Sequence, residues 1–365
     1  MVSPALRQSA EQRYADELQR LQQADQASGA ELPAGWLRSP RAVRRFILGD
    51  EALQISRKFY GDDALVDRAI VTLLGHQGLM LVGEPGTAKS MLSELLAAAI
   101  SGDSLLTVQG TAGTTEDHLK YSWNYALLLA EGPTERALVG SPVYQGMRLG
   151  KLVRFEEITR CPPEIQDVLI SLLSEKQLMI PELGEAGHVQ ARPGFNLIAT
   201  ANLRDRGVHE MSAALKRRFN FETVRPIADR EFEVELVMQQ LQRVLGDQAG
   251  KVRIERDVIG LLVTVFQELR SGTTREGTAL KGPEAVMSTA EAVNLAHAAA
   301  LEARYFGDGR LTSAQLARQL LGVVFKDNAE DARRLRHYLD SVVRERARRD
   351  EHWRHFFDAS KDLWG

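Results

Sequence analysis

The feature that most constrains the fold is an apolar pentapeptide followed at once by a glycine-rich turn and a helical segment. Residues 78–82 read Gly-Leu-Met-Leu-Val and stop at a glycine, which is typical of a strand buried on both faces. Residues 90–100 then carry leucine and alanine where the core face of a helix would lie. A buried strand joined to a helix by a tight turn indicates an α/β fold.

Further strand-like runs recur along the first part of the chain. They span residues 105–108, 151–155 and 195–200, and the last candidate spans residues 219–224. Helical stretches separate them, including residues 163–174. Strands that alternate with helices predict a parallel sheet covered on both faces by helices.

After about residue 226 the strand signals end and only helical patterns remain. These patterns span residues 229–245, 255–270, 283–306, 312–325 and 330–360. We therefore predict four regions, with the last two entirely helical. They are an N-terminal helical extension and linker over 1–50, an α/β core over 51–226, a helical lid over 227–328 and a C-terminal helical extension over 329–365.

Composition narrows the class of protein. The formal net charge of −3 argues against a strongly basic nucleic-acid or anionic-membrane binder. The longest apolar candidate for a membrane span is interrupted by His76 and Gln77, and the first twenty residues lack the apolar core of a secretory signal. Cys161 is the only cysteine, which excludes an internal disulfide and a multi-cysteine zinc site. These features lead us to expect a cytoplasmic protein.

The turn between the first strand and its helix has the chemistry of a phosphate loop. Backbone N–H groups in such a turn bind phosphate oxygens, and the positive end of the helix dipole lies beneath them. Lys89 would reach the terminal phosphates, and the Ser90 hydroxyl would be a magnesium ligand. Ala88 stands where glycine is usual, which costs little if its φ is negative. The candidate binding residues are Gly83, Glu84, Pro85, Gly86, Thr87, Ala88, Lys89 and Ser90.

The strand over residues 151–155 ends in two acids, Glu156 and Glu157. In a phosphate-loop ATPase the first acid holds hydrated magnesium and the second polarises the attacking water. Glu156 stands where aspartate is usual, and its extra methylene lengthens the reach of the carboxylate. A misplacement of about 1 Å can cost a hundredfold in rate. Because glutamate can still bind magnesium through water, we expect this change to tune the site and not to abolish it. Without a phosphate loop upstream, the same acids would read as a solvated strand end.

Two further polar positions lie next to predicted strands. Asn202 follows an apolar strand, and in a parallel sheet the C-terminal strand ends face the ligand, so it can hold the attacking water or a γ-phosphate oxygen. The alternative is an ordinary turn residue. Arg217 and Arg218 end a helix before the last strand. They either complement the helix dipole or reach into a neighbouring subunit's site, where an arginine is worth about 10³ to 10⁵ in rate.

The order of these motifs resembles the MoxR family of AAA+ ATPases over about residues 59–325. Residues 83–90 resemble its phosphate loop, and residues 155–166 resemble its Walker B segment and the helix that follows. Residues 198–202 are similar to its sensor-one strand, and residues 215–219 to its arginine-finger box. The Glu-Glu pair and the stretch 282–290 look closest to the YehL-type branch.

The resemblance implies an AAA+ α/β core with a helical lid, assembled as a hexameric ring with ATP and Mg²⁺ at each interface. It makes Arg218 the finger that acts in trans, with Arg217 as the second candidate. Residues 121–137 would be a hairpin inserted in the second helix, and residues 178–192 the hairpin before sensor one. Members of the family are thought to act as chaperone-like remodellers with von Willebrand factor A domain partners.

Three functional hypotheses remain open at this point. The first is a Mg²⁺-dependent ATPase that remodels or activates a protein partner. The second is a nucleotide-binding switch or scaffold with little turnover, favoured by the departures at Ala88, at Glu156 and at Glu284, which replaces the sensor-two arginine. Lys281 is the candidate substitute for that arginine. The third is a DNA-acting motor, against which the net negative charge speaks, so nucleic acid is an unlikely partner.

Overall fold

The computed structural model describes residues 8–202, 209–284, 287–324 and 328–362. The chain divides into two compact units. One consists of residues 1–84 and 88–225, and the other of residues 226–365 with the short segment 85–87. All of the strands named below belong to the first unit, and the second unit is built of helices.

The first unit is built around a five-stranded parallel sheet with the strand order β2-β5-β8-β1-β9. The strands are β1 Gly78–Val82, β2 Thr107–Gln109, β3 Tyr121–Trp123, β4 Leu138–Gly140, β5 Leu152–Glu156, β6 Gln177–Met179, β7 His188–Gln190, β8 Asn196–Ala201 and β9 Phe219–Thr223. The predicted α/β fold with a parallel sheet is confirmed. The central strands β1, β5 and β8 are buried along their whole length, which explains why their sequences are mostly apolar on both faces of the sheet.

Helices cover both faces of this sheet. They are α1 Ala10–Arg13, α2 Ala15–Ser28, α3 Pro40–Leu48, α4 Asp63–Leu74, α5 Lys89–Ser101, α6 Tyr125–Glu131, α7 Pro142–Leu149, α8 Pro163–Glu175 and α9 Ala213–Lys216. Leu79 and Leu81 belong to the core on one face, and Met80 and Val82 to the core on the other. This alternation follows from the two-residue period of a strand.

Two small antiparallel pairs stand apart from the main sheet. β3 pairs with β4 around the helix α6, and β6 pairs with β7. They lie near the two hairpins that the family resemblance implies, but β4 begins one residue after the predicted end at 137, and the helix α6 was not expected. The Tyr121 hydroxyl donates a hydrogen bond to Glu182 at 2.8 Å and so joins the two pairs.

The N-terminal helices are packed onto the first unit by buried polar contacts as well as by Leu18 and Leu21. The Lys58 ammonium is only 2% exposed and forms an ion pair with Glu17 in α2. It also donates to the Phe46 carbonyl at 2.9 Å. The Arg38 guanidinium donates to the Leu18 carbonyl at 3.1 Å, which fixes the end of the predicted linker against α2.

Removing the acid of this ion pair should destabilise the first unit. In Glu17→Ala, the buried Lys58 ammonium loses the carboxylate of this ion pair, and breaking a buried pair in this way costs about 3–5 kcal/mol. Chemical denaturation measures the loss. The control is Asp67→Ala, which removes the exposed ion pair with Arg44 and should cost about 0–1 kcal/mol. Equal small losses in both variants would show that Glu17 does not stabilise this docking.

The second unit is a helical domain with a single hydrophobic core. Its helices are α10 Arg230–Leu245, α11 Arg256–Ser271, α12 Thr289–Phe306, α13 Ser313–Val324, α14 Ala329–Tyr338, α15 Arg344–Arg346 and α16 Glu351–Lys361. Two predicted helices need correction. The one placed at 283–306 begins at Thr289, because Ser288 and Glu291 form a capping box there. The one placed at 330–360 is interrupted twice. A π-helical turn spans Leu339–Val343, and the chain leaves the helix after Arg346 before α16 begins at Glu351.

The C-terminal helices belong to the same core as the rest of this unit. Phe356 is fully buried, and Tyr338 donates to the buried Glu268 of α11 at 2.6 Å. Arg346 forms an ion pair with the same carboxylate. Burial and Glu268 together hold the pKa of Tyr338 well above its usual value. The separate C-terminal extension over 329–365 that the sequence predicts stays a prediction. None of the helices within the described ranges has the length and apolar character needed to span a bilayer.

Candidate nucleotide-binding site

The phosphate loop joins the end of β1 to the start of α5 and contains two residues with left-handed backbone. Gly86 has φ 73° and Ala88 has φ 67°. The sequence expectation for Ala88 assumed a negative φ, and the structure corrects it. A left-handed conformation costs a residue other than glycine about 1–2 kcal/mol. Such strain is typical of functional turns, where the surrounding structure holds the backbone in place.

Lys89 lies back along this loop. Its ammonium donates to the Gly83 carbonyl at 3.0 Å and to the Glu84 carbonyl at 2.7 Å. Burial lowers the pKa of Lys89 to about 8, although the carboxylates of Glu157, Glu156 and Glu84 act in the opposite direction. A desolvated ammonium that donates to two backbone carbonyls is poised to bind anions that enter the loop.

Glu156 is the last residue of β5 and is the centre of a buried hydrogen-bond cluster. Its Oε2 accepts bonds from Ser90 at 2.7 Å and from Thr200 at 2.8 Å. Its Oε1 accepts bonds from Ser93 at 2.7 Å and from Arg154 at 2.7 Å. Burial alone would raise the pKa of Glu156, but Arg154 and the three hydroxyls lower it overall. The cluster therefore holds an ionised carboxylate against the first turn of α5.

The donor set at Ser90 and Glu156 suits magnesium. A hydroxyl and a carboxylate are the hard oxygen ligands that Mg²⁺ prefers, and the ion usually keeps several waters and binds substrate phosphates besides. Among the described residues, no cluster of three or more His, Cys, Asp or Glu side chains is arranged to hold a metal. Magnesium at this site would therefore take its remaining ligands from water and phosphate.

The backbone departs from the strand conformation at Glu157, directly after Glu156. Its φ of 54° is left-handed, and its backbone N–H donates to the Thr200 hydroxyl at 3.0 Å. That hydroxyl also donates to Glu156, so Thr200 fixes the two acids relative to each other. The Glu157 carboxylate is about one-third exposed and forms an ion pair with Arg160.

Asn202 follows β8, which lies between β5 and β1 in the sheet. Its Oδ1 is buried and accepts no hydrogen bond from any part of the chain that the structure describes. Leaving a buried polar oxygen unpaired costs about 1–3 kcal/mol. An unpaired amide at this strand end is therefore a candidate contact for a ligand or for a water.

The two candidate finger arginines differ in their contacts. Arg218 donates from Nε to the Ser174 hydroxyl at 2.9 Å and from Nη1 to the Ala214 carbonyl at 3.2 Å. The Arg217 side chain is exposed. The backbone carbonyl of Arg217 accepts a hydrogen bond from the Gln77 side chain at 3.1 Å. Arg218 is thus held in a defined orientation by α8 and by the preceding helix α9.

Comparison with known proteins decides the family. Residues 78–219 match the AAA domain of the dynein-related subfamily, and residues 231–363 match the YehL-like AAA+ ATPase C-terminal domain. The chain is 52% identical over 351 residues to the uncharacterized protein YehL of Escherichia coli (strain K12), covering 96% of this chain and 95% of YehL. The chain belongs to the YehL family of AAA+ ATPases. The resemblance to this branch is confirmed, and it is consistent with the MoxR type.

A further relative of this YehL-family protein shares less sequence identity with it. The uncharacterized protein SH1500 of Staphylococcus haemolyticus (strain JCSC1435) is 29% identical over 159 residues, which covers 43% of this chain and 59% of SH1500. Among solved structures, NtrX from Brucella abortus aligns with a TM-score of 0.49 and 15% identity, over 80% of this chain and 62% of NtrX. A putative ATPase from Cytophaga hutchinsonii aligns with a TM-score of 0.38 and 15% identity, over 86% and 88% of the two chains.

In the YehL-like domain, Glu284, which the sequence analysis placed at sensor two, contacts another part of that domain. The backbone N–H of Glu284 donates to Asp331 at 2.8 Å, and its carboxylate lies 4.0 Å from the Arg334 guanidinium. Lys281, the substitute suggested by the sequence, is exposed. The cation beside Glu284 is therefore Arg334, which the sequence did not single out.

Four site residues were missed by the sequence analysis. They are Ser93, Arg154, Arg160 and Thr200. One signal was available, because an arginine inside the apolar run of residues 151–155 predicts a buried partner for its charge. The two hydroxyls and Arg160 carry no comparable signal, since these residue types are ordinary at helix and strand positions.

Proposed function

We propose that this YehL-family protein is a Mg²⁺-dependent ATPase that hydrolyses ATP at the interfaces of a hexameric ring. The contact between the Ser90 hydroxyl and the Glu156 carboxylate, at 2.7 Å, carries this proposal. It brings the end of the phosphate loop and the acidic end of β5 together in a single site. A hydroxyl and a carboxylate in contact at a helix N-terminus are the parts that a phosphate-loop ATPase uses to hold magnesium.

Each side chain then has a role in binding or in proton transfer. The backbone N–H groups of the phosphate loop bind the phosphates, and Lys89 contacts their terminal oxygens. Ser90 and Glu156 would hold Mg²⁺, which when bound neutralises charge on the β- and γ-phosphates. Glu157 orients the attacking water and accepts its proton, and the unpaired oxygen of Asn202 contacts that water. Arg218 acts from the neighbouring subunit, with Arg217 as the alternative.

We further propose that hydrolysis drives remodelling or activation of a protein partner, one that carries a von Willebrand factor A domain. The MoxR-type resemblance supports this choice of partner. A second support is the exposed apolar surface on the helix α6, between β3 and β4. Leu129 and Tyr125 are 89% and 70% exposed there. Apolar side chains at such positions are typical of surfaces that bind proteins.

The switch or scaffold hypothesis is also supported by a specific observation. The Glu157 carboxylate forms an ion pair with Arg160 and is therefore not free to act as a base in this conformation. On this hypothesis ATP binds tightly, turnover is negligible and assembly responds to binding alone. No contact in the described structure favours the third hypothesis, a DNA-acting motor.

Steady-state hydrolysis of ATP with Mg²⁺, measured over a range of protein concentrations, tests the proposed function. The mass of the protein in solution is measured with and without ATP. Specific activity that rises with protein concentration, together with a ring-sized mass, would support hydrolysis at subunit interfaces. ATP binding without turnover at the highest concentration would contradict an autonomous ATPase and would favour the switch.

Replacing Lys89 should weaken nucleotide binding. Lys89→Met removes the ammonium that would contact the phosphates, and hydrogen bonds from a charged donor contribute about 1.5–3 kcal/mol each. We expect the Kd for a fluorescent ATP analogue to rise about 100-fold, since every 1.4 kcal/mol is tenfold. The matched control is Lys176→Met, because burial lowers the pKa of Lys176 as well but it packs on Phe195. Unchanged affinity in Lys89→Met would place the nucleotide elsewhere.

A further inference from the structure

We propose that Arg154 is a positioning residue that enables a glutamate at position 156 to bind magnesium where related sites use aspartate. This inference rests on the proposed ATPase function, and it concerns the direction in which the Glu156 carboxylate points. Arg154 lies on β5 two residues before Glu156, so both side chains project from the same face of the strand. Both are buried, at 9% and 5% exposure.

The Arg154 guanidinium is held rigidly before it reaches Glu156. Its Nε donates to the Ser93 hydroxyl at 2.9 Å, and its Nη1 donates to the Ser104 carbonyl at 3.1 Å. Its Nη2 donates both to the Ser90 carbonyl at 3.1 Å and to Glu156 Oε1 at 2.7 Å. Three of the four bonds go to groups other than Glu156. The planar guanidinium is therefore anchored to α5 and to the segment that follows it, and it presents one N–H to the carboxylate.

The two oxygens of Glu156 have different partners. Arg154 and Ser93 bind Oε1 from the interior, whereas Ser90 and Thr200 bind Oε2. Each carboxylate oxygen therefore accepts two hydrogen bonds, and Glu156 would hold Mg²⁺ through one of the waters that the ion keeps. The division leaves Oε2 as the oxygen next to the phosphate-loop hydroxyl. Arg154 thus fixes the orientation of the carboxylate, so that the oxygen it does not bind is directed at the proposed magnesium ligand Ser90.

A glutamate needs this support more than an aspartate does. It has one more rotatable bond, so its carboxylate can occupy more positions, and Mg²⁺ demands near-ideal octahedral geometry. A bond from a fixed arginine removes that freedom. A lysine would supply the charge but not the planar set of anchored donors. Arg154 and Glu156 therefore act as a pair, in which the arginine orients the carboxylate.

Binding of a fluorescent ADP analogue, measured with Mg²⁺ and again with EDTA, tests this pair without any turnover. The ratio of the two affinities reports the contribution of Mg²⁺ at the site. Loss of a residue that orients a metal ligand typically costs about 10- to 100-fold in metal affinity, so R154M should reduce this ratio by about tenfold or more. Affinity in EDTA should change much less.

A matched control separates positioning from the general loss of a buried ion pair. Arg270 and Glu233 form such a pair in the other unit, with side chains 11% and 0% exposed, compared with 11% and 6% for Arg154 and Glu156. R270M should therefore keep the wild-type ratio. A ratio that falls equally in R270M and R154M would overturn the assignment to Arg154.

Rescue by a shorter acid is the decisive readout. In R154M/E156D the aspartate no longer needs the arginine, so the affinity ratio should recover towards that of the wild type. If thermal denaturation shows that R154M does not fold, R154K and R154K/E156D provide the same comparison. A folded R154M with the wild-type ratio, or a double variant no better than the single one, would overturn the proposal. Wild-type affinity that is independent of Mg²⁺ would overturn the proposed ATPase function and this inference with it.

Discussion

The Glu157→Gln variant should bind ATP as the wild type does and lose almost all turnover. Glutamine keeps the size of the side chain and its polar contacts but cannot accept a proton from the attacking water. General-base catalysis contributes about 10²- to 10⁴-fold, so kcat should fall by that factor. Glu157 is anchored through its backbone N–H to Thr200, so the substitution should not disturb the strand end. Phosphate release measures turnover, and a fluorescent ATP analogue measures binding.

The control for this variant is Glu164→Gln, which neutralises an exposed acid in the first turn of α8. It should leave kcat within about twofold of the wild type, since surface substitutions away from special features change little. Wild-type turnover in Glu157→Gln would show that another group activates the water. Equal loss in both variants would point to a general effect of charge and not to a proton acceptor.

The Arg218→Ala variant should show the largest loss of rate. An arginine that stabilises charge in the transition state of phosphoryl transfer is worth about 10³ to 10⁵ in kcat. Arg218 is oriented by Ser174 and by the Ala214 carbonyl, whereas the exposed Arg217 lacks such an anchor in the described structure. We therefore expect a large fall in kcat for Arg218→Ala and a smaller one for Arg217→Ala. Lys216→Ala is the control, because that exposed lysine pairs with Glu210.

Mixing two inactive variants distinguishes action in trans from action within one subunit. In a ring assembled from equal amounts of Glu157→Gln and Arg218→Ala chains, about one quarter of the interfaces combine an intact acid with an intact arginine from the neighbour. The mixture should therefore regain activity that neither variant has alone. A mixture that stays inactive, although the two chains assemble together, would place the arginine in its own subunit's site or outside the mechanism.

The sequence predicted most of the sheet because the central strands are buried on both faces. β1 begins and ends at Gly78 and Val82 as the apolar run does, and β5, β8 and β9 lie within a residue of their predicted bounds. It was less accurate in the helical unit. There a helical pattern continues through Leu339–Val343, where the backbone forms a π-helical turn. Periodicity reports which face is apolar, but it does not report such a local change in hydrogen bonding.

The residues of the candidate site likewise fall into those that the sequence identified and those that it did not. The phosphate loop and the two acids could be identified from the sequence because consecutive residues carry that chemistry. The partners of Glu156 could not, because Ser93, Arg154 and Thr200 come from three different elements that only the folded sheet brings together. An arginine in an apolar strand predicts that a partner exists, but not which residue it is.

The sequence by itself determined the α/β class, the family and the place of the phosphate loop, because these follow from local periodicity and from contiguous motifs. Tertiary structure alone decided the left-handed backbone of Ala88, the burial of Lys58 against Glu17 and the direction of the Glu156 carboxylate. Each of these depends on contacts or constraints outside the local sequence. Packing in three dimensions sets such contacts, and neither propensity nor spacing along the chain encodes them.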